Sequence, residues 1–192
     1  MDRSEAVAIV RRYSEKDITV RHLISVEGVM RALARHFGED EQSWGTAGLF
    51  HDLDQDKTHD DLERHGHQSV EWLRTEGFDD EQVLNTVLAH MHEQYQTDLM
   101  SKAIAHADGV AGLLVACALV RPDKARGMKV SSVKKKLKER SFAPGVERDK
   151  IRGVEESIGI PMDEFIAISI EGLQEVAPEI GLAPTEPAPP RE

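Results

Sequence analysis

Four polar segments interrupt otherwise apolar parts of the chain, and each carries a histidine, an aspartate or both. They contain His22, the adjacent pair His51 and Asp52 in GLFHDLD, His90 in VLAHMHE, and Asp108 in AIAHADGVAGLL. In the apolar surroundings of Asp108, a buried carboxylate is unfavourable unless a cation pairs with it. Imidazole and carboxylate ligands together suit divalent iron, manganese, zinc, nickel or cobalt. The pattern therefore indicates a site for a divalent transition metal.

The adjacent pair His51 and Asp52 restricts where a shared ion can lie. Neighbouring side chains on an α-helix project about 100° apart, so both can flank one ion only near the end of the helix. The acidic sequence DQDKTHDDLE follows Leu53 directly and marks such an end. We therefore expect the pair in the last turn of a helix over residues 44–53.

The order of these residues resembles the HD superfamily of metal-dependent phosphohydrolases, which takes its name from the adjacent pair. The resemblance runs from about His22 to Asp108. In that family, the first histidine, the HD pair and the last aspartate bind one metal ion, which implies the ligands His22, His51, Asp52 and Asp108. Members with two ions add histidines between the pair and the last aspartate. In those members the aspartate of the pair, here Asp52, bridges the ions.

Two histidines compete for the first added position, because the segment reads ERHGHQSVEWL. The family places this histidine four residues before a small residue that starts an apolar helix face. His65 lies four residues before Ser69, so the resemblance favours His65 and leaves His67 behind the ligands or facing the substrate. At the second added position, His90 follows three apolar residues and is favoured over His92. The resemblance thus implies a site for one or two ions.

The resemblance implies hydrolysis of a phosphate ester in a nucleotide or another small phosphorylated metabolite. Two divalent ions would activate a water between them and neutralise the phosphate oxygens. Asp52 and His51 would carry the catalysis, with Lys57 or a cation of residues 121–140 on a phosphate oxygen. Proton transfer is open among three nearby residues, namely Asp54, Asp56 and His67.

Two other functions stay open on the same scaffold. One is a di-iron oxygenase, because four histidines and two aspartates on an HD scaffold support oxygen chemistry in some families. The other is a regulatory protein that binds a nucleotide without hydrolysing it. The whole chain is similar to an uncharacterised bacterial branch of the superfamily through the segments HDLDQDKT, RHGH, VRPDK and KKKLKERSFAPGV. It departs from the HD-Ile-Gly-Lys signature, because Asp54 replaces the glycine and Lys57 comes two positions later.

The elements that must position these residues are helical. Apolar residues recur at spacings of three and four, and no strand-like alternation is found. Residues 22–37 form one apolar stripe that ends at Gly38, and residues 99–120 are alanine-rich and nearly uncharged, as expected of a central helix. Further helices are expected over residues 68–76, after a capping box at Asp79 and Gln82, after Ser131, over 146–158 and after Pro161. We predict an all-α bundle of about seven or eight helices over residues 1–177, with a flexible proline-rich tail over 178–192.

Composition limits the remaining classes. The 192 residues carry a net charge of −11, which disfavours general nucleic-acid binding. Residues 121–140 are the exception, with nine Lys or Arg and two acidic residues. The single cysteine, Cys117, excludes an internal disulfide. With no signal sequence and no membrane-spanning run, we expect a cytoplasmic protein with a small phosphorylated substrate and no membrane partner. The oligomeric state stays open.

Overall fold

The computed structural model describes residues 1–184, and these contain helices and no strands. The all-α prediction is therefore confirmed. Within the described residues, the helices of nine residues or more are α1 (Arg3–Tyr13), α2 (Asp17–Phe37), α3 (Glu41–Phe50), α5 (His67–Thr75), α6 (Glu81–Ala89), α7 (Leu99–Leu119), α8 (Val130–Lys138) and α11 (Met162–Val176). Three shorter helices are α4 (Gln55–Thr58), α9 (Arg148–Arg152) and α10 (Val154–Ile158), and a 3-10 turn covers Glu93–Tyr95.

Helix α2 is the centre of the bundle and packs against α3, α7 and α11. Its predicted apolar stripe is buried, from Leu23 to Leu33. The crossing with α11 is close because glycine faces glycine: a Cβ on Gly28 would lie 2.4 Å from the carbonyl oxygen of Gly172. The two helix backbones touch there, and this contact sets the distance between α2 and α11.

Helix α7 is the predicted central helix. Its N-terminal cap is Asp98, whose side chain accepts a hydrogen bond from the backbone N–H of Ser101. By length and composition it is the one described helix that could cross a membrane, yet 61% of its most apolar stretch is buried inside the bundle. Its apolar character is thus used for packing, with α2, α6, α9, α10 and α11 around it.

Several element boundaries differ from those expected. Helix α2 begins at Asp17, so His22 lies in its second turn rather than at its start. Asp80, not Asp79, caps α6 by accepting hydrogen bonds from the N–H groups of Gln82 and Val83. The predicted helix over 146–158 is two short helices that meet at Gly153. Ser131 lies inside α8 rather than capping it.

The segment expected to form a tail is packed in its first part. Ile180 and Leu182 are buried, and the carbonyl oxygen of Leu182 accepts a hydrogen bond of 3.1 Å from the N–H of Ala125. The apolar pair outweighs the surrounding prolines, because burying two aliphatic side chains stabilises a short ordered segment. Residues 185–192 of the predicted tail lie outside the described residues.

Candidate metal centre

The HD pair lies at the end of α3, as predicted. Helix α3 ends at Phe50, His51 is its C-terminal cap and Asp52 follows in a turn. The ring of His51 is fully buried, and its Nδ1–H donates a hydrogen bond of 2.8 Å to the carbonyl oxygen of Gly48. This bond fixes the tautomer, so Nε2 carries a lone pair into the interior. Nε2 of His51 is buried and has no hydrogen-bond partner in the part of the chain that the structure describes.

One group of ligand atoms forms a compact triangle around Asp52. Its Oδ1 lies 3.0 Å from Nε2 of His65 and 3.0 Å from Nε2 of His90, and the two nitrogens are 3.2 Å apart. The Nδ1–H of His90 donates to the carbonyl oxygen of Val87, which leaves its Nε2 as an acceptor. Ligands about 2.1 Å from one ion and at right angles to each other are about 3.0 Å apart. The triangle therefore fits two imidazoles and one carboxylate on the same ion.

A second group of ligand atoms lies on the other side of Asp52. Nε2 of His22 is 3.1 Å from Oδ1 of Asp108, and Nε2 of His51 is 3.9 Å from the same oxygen. The second oxygen of Asp52, Oδ2, lies 3.7 Å from His51 and 3.9 Å from His22. The two oxygens of Asp52 thus face different groups, which is the position of a bridging carboxylate.

The tautomer of His65 is fixed in the same way as those of His51 and His90. The Thr58 hydroxyl donates to the carbonyl oxygen of Asp54, so its oxygen, 2.9 Å from Nδ1 of His65, accepts the Nδ1–H. Three buried imidazoles therefore direct Nε2, and not Nδ1, at the carboxylate of Asp52. Three ring nitrogens around one carboxylate need a cation between them, which is a proton on His65 in the metal-free protein and a metal ion in the loaded one. This donor set, together with the unpartnered Nε2 of His51, fits a divalent metal.

Asp54 holds the loop on which His65 lies, a role that residue spacing did not predict. Its carboxylate is fully buried and accepts hydrogen bonds from the N–H groups of Gly66, at 2.8 Å, and Ser69, at 3.2 Å. Its other oxygen is 3.0 Å from Nδ1 of His65. Burial opposes protonation of His65, but the Asp52 and Asp54 carboxylates outweigh it and raise the pKa of His65 to about 9. The position therefore attracts positive charge.

The two aspartates of the site are ionised in this environment. Burial raises the pKa of Asp108, but contacts with His22 and His51 outweigh burial, and the pKa lies well below its ordinary value. Burial also raises the pKa of Asp52, and His51, His65 and His90 reverse that effect. Both groups thus offer charged oxygens to a cation.

The structure brings together all six predicted ligands and leaves out the two competing histidines. His67 is exposed at the start of α5, with its ring 4.9 Å from that of His92. Nε2 of His92 lies 3.0 Å from the carbonyl oxygen of His65 and so supports the loop from outside. The six residues form two groups, which are His22, His51 and Asp108, and Asp52, His65 and His90.

Lys57 is not brought to the site, contrary to the role expected for it. Its side chain is 51% exposed and its ammonium group pairs with Glu15 on the surface. The cause is the single turn α4, in which Asp54 and Thr58 face inward and Lys57 faces outward. Asp56 is also engaged elsewhere, because its carboxylate accepts hydrogen bonds from the N–H groups of Glu15 and Lys16.

The two groups of ligands open into a cleft of about 390 Å³. Its lining contains no lysine or arginine among the described residues, and none of the basic residues in 121–140 reaches it. Around the ligands it is lined by Ile18, Thr19, Gln55, His59, Leu62, Met91 and Glu147. Negative charge in a substrate would therefore be balanced at this site by metal ions and not by basic side chains.

Glu147 is a cleft residue that sequence reasoning missed. It belongs to the loop after α8, which is held by the buried guanidinium of Arg148. That guanidinium donates hydrogen bonds to five backbone carbonyl oxygens, those of Leu137, Glu139, Phe142, Ala143 and Val146. The segment SFAPGVER contained the signal, a lone arginine after a turn, but nothing in the sequence connected it to residues 22–108.

Comparison with known families agrees with this geometry. The family model of the HD domain matches residues 19–113, about half of the chain, and the match includes all six ligands. Searches of curated proteins and of solved structures found no match to the chain. HD domains bind divalent metals, and the His/Asp groups described above are able to hold them. The chain therefore belongs to the HD-domain superfamily of metal-dependent phosphohydrolases.

Proposed function

We propose that this protein is a cytoplasmic, metal-dependent phosphohydrolase that acts on a phosphate ester in a nucleotide or another small phosphorylated metabolite. The observation that carries the proposal is the shared Asp52, whose two oxygens face two separate groups of histidine and aspartate ligands. Such a pair of sites is typical of enzymes that displace a phosphate ester with water. We propose a small phosphorylated molecule, not a nucleic acid or a membrane, as the partner.

The residues that would hold the ions are the six described above. When bound, two divalent ions such as iron, manganese, zinc, nickel or cobalt acidify a water and neutralise phosphate oxygens. The chain itself supplies preorganisation: the Nδ1–H bonds of His51, His65 and His90 fix each Nε2 before any ion binds. Thr19, Gln55, His59 and Glu147 provide the hydrogen-bonding groups around a bound substrate.

The first test is elemental metal analysis of protein purified without chelators or nickel resin, with phosphate release from p-nitrophenyl phosphate and nucleotides measured alongside. We expect about two transition-metal ions per chain. Asp52→Ala should lose both ions, and its turnover should fall more than about 100-fold. Loss of a ligand should weaken metal binding more than loss of a group that hydrogen-bonds to a ligand, which costs about 10- to 100-fold. Asp149→Ala removes a carboxylate that is 97% exposed and should change neither value.

Four other outcomes would contradict the proposal or favour a different function. No metal in the wild-type protein, even after incubation with manganese or iron, would contradict the proposal. Full metal content and turnover in Asp52→Ala would exclude the bridging role of Asp52. Bound iron with redox-dependent absorption, oxygen consumption and no phosphate release would favour the oxygenase. Bound metal and nucleotide without turnover would favour a regulatory protein.

A further inference from the structure

A second cavity adjoins the metal cleft and differs from it in character. This groove has a volume of about 620 Å³ and lies between the start of α2, the second half of α7 and the segment after α11. Its apolar walls are Ile18, Val115, Leu119, Ile180 and Leu182. We call it the α2/α7 groove. It shares His22 and Ile18 with the cleft, so the two cavities meet at a ligand of the candidate metal centre.

Exposed apolar side chains mark the place where the two cavities meet. Ile18 is 74% exposed on the ridge between them, and Leu119 is 58% exposed at the groove. Leu62, which is 61% exposed, also lines the cleft. Isolated exposed leucines need no explanation, but a group of them around a cavity marks a binding surface. A ligand that extends from the cleft into the groove would cover Ile18 and Leu119 together.

The charged side chains of the two cavities limit how many phosphate groups such a ligand carries. Among the described residues, Arg21 is the one lysine or arginine that lines either cavity. Its guanidinium is 2.7 Å from the carboxylate of Asp17 and also donates to the carbonyl oxygen of Ile180. Within residues 1–184, neither cavity therefore has a free basic side chain for a second phosphate. A diphosphate or triphosphate would place unbalanced charge against Asp17 and apolar walls.

We propose that the substrate is a monophosphate ester of an apolar alcohol, with its phosphate at the metal centre and its alkyl or aryl group in the α2/α7 groove. This inference rests on the proposed phosphohydrolase function and narrows its substrate class. Ligand sites combine an apolar wall with a few polar groups that fix orientation. Here the polar groups lie in the cleft and the apolar wall lies in the groove.

The test is the chain-length dependence of kcat/KM for n-alkyl phosphates from ethyl to octyl, all below the concentrations at which they form micelles. For the wild-type protein we expect kcat/KM to rise at least about 30-fold from ethyl to octyl phosphate, since each buried methylene contributes up to about fourfold. Nucleoside monophosphates should be poorer substrates than octyl phosphate. If the esters are hydrolysed but kcat/KM does not change with chain length, the groove assignment is wrong and the proposed phosphohydrolase function still holds.

Two neighbouring residues provide a matched pair of variants. Leu119→Ser removes part of the groove wall, and Val120→Ser removes a side chain that is 65% exposed next to it but does not line the groove. We expect Leu119→Ser to lower kcat/KM for octyl phosphate about three- to tenfold and to leave ethyl phosphate unchanged. Val120→Ser should change neither substrate by more than about twofold. Equal effects of the two variants would contradict the proposal.

A binding measurement distinguishes an error in the groove assignment from an error in the proposed enzymatic function. Isothermal titration calorimetry with ethylphosphonate and octylphosphonate, which lack the ester bond, measures affinity without turnover. If octylphosphonate binds more tightly than ethylphosphonate and Leu119→Ser removes the difference, the groove assignment is supported, whether or not any ester is hydrolysed. Such binding without hydrolysis of any ester would refute the proposed phosphohydrolase function and keep the groove. Equal affinity for both phosphonates would overturn the groove whatever the activity.

Discussion

The imidazole of His65 lies between two carboxylates, that of Asp52 beside Nε2 and that of Asp54 beside Nδ1. Asp54 in turn holds the backbone N–H of Gly66, the residue after His65. Gly66 has a φ of +79°, a left-handed conformation that glycine adopts without strain. This turn directs His65 into the site and His67 to the surface, although only one residue separates them.

The difference between these two histidines is directly testable. We expect His65→Ala to lower the affinity for one of the two ions by more than about 100-fold, because the substitution removes one of the three groups in the triangle with Asp52 and His90. His67→Ala should bind both ions as the wild-type protein does, since its side chain is exposed. Metal titration after chelator treatment, with inductively coupled plasma mass spectrometry, measures both stoichiometries. Loss of an ion in His67→Ala alone would reverse the assignment.

The sequence was informative about the ligands and not about the groups that support them. All six candidate ligands were predicted, because polar residues inside apolar helices are unusual and their order matches a family pattern. Asp54, Glu147 and Arg148 were not assigned these roles, since their partners lie in loops whose paths depend on tertiary contacts. Lys57 was expected at the phosphate and pairs with Glu15 instead, because residue spacing does not tell which face of a single turn is buried.

The start of α2 depends on a residue far along the chain. Lys16 precedes the helix and provides no side-chain cap. Asp56 instead holds the residues around this start: its carboxylate accepts hydrogen bonds from the N–H groups of Glu15 and Lys16 and from the hydroxyl of Thr19, at 2.8, 2.9 and 2.9 Å. The loop after the HD pair thereby fixes the helix that carries His22. This contact also explains why α2 begins before the position that its apolar stripe predicted.

Asp56→Ala should therefore destabilise the protein by about 0.5–2 kcal/mol at pH 7, because it removes the charged acceptor of three hydrogen bonds at the start of α2. Burial raises the pKa of Asp56, but hydrogen bonds from Lys16 and Thr19 outweigh it and lower the pKa below 3.8. Its stabilisation is thus fully present above pH 3.8 and is lost as the pH falls through the folded-state pKa. Urea unfolding of the wild-type and variant proteins between pH 7 and pH 3 measures the difference, which should shrink only below pH 3.8.

The exposed Asp149 provides the control for this experiment. Its side chain pairs with Arg152 on the surface, and such pairs contribute less than about 1 kcal/mol. Asp149→Ala should therefore differ from the wild-type protein by less than that amount at pH 7. A loss as large as that of Asp56→Ala, or a difference for Asp56→Ala that persists unchanged at pH 3, would refute the stabilising role of the Asp56 carboxylate at the start of α2.

Helix positions followed from the sequence more closely than helix contacts did. The apolar stripes of α2 and α7 were predicted because helical periodicity is local. The contact between Gly28 and Gly172 was not, since it joins residues far apart in the chain and neither glycine breaks its helix. The packing of Ile180 and Leu182 was also missed. A short apolar pair near prolines becomes ordered only through contacts with distant helices, and such contacts are not visible in the local sequence.

The six candidate ligands come from helices and loops in most parts of the fold. They come from α2, the end of α3, the loop before α5, the end of α6 and the middle of α7. An unfolded chain cannot hold these groups in two compact triangles, so ions at the proposed centre would bind the folded state selectively. Metal binding is therefore linked to the free energy of unfolding of the whole domain.

Adding manganese or iron(II) to metal-free protein should accordingly raise the melting temperature. An ion at about 100 times its dissociation constant stabilises the folded state by about 2.7 kcal/mol, which for a domain of this size is about 5–10 °C. Differential scanning calorimetry before and after chelation measures the shift, and excess chelator should reverse it. Asp52→Ala should abolish the shift because both groups lose a shared ligand, whereas His67→Ala should keep it. An equal shift in all three proteins would mean that the ion binds outside the cleft, and the role of Asp52 as the bridge would be wrong.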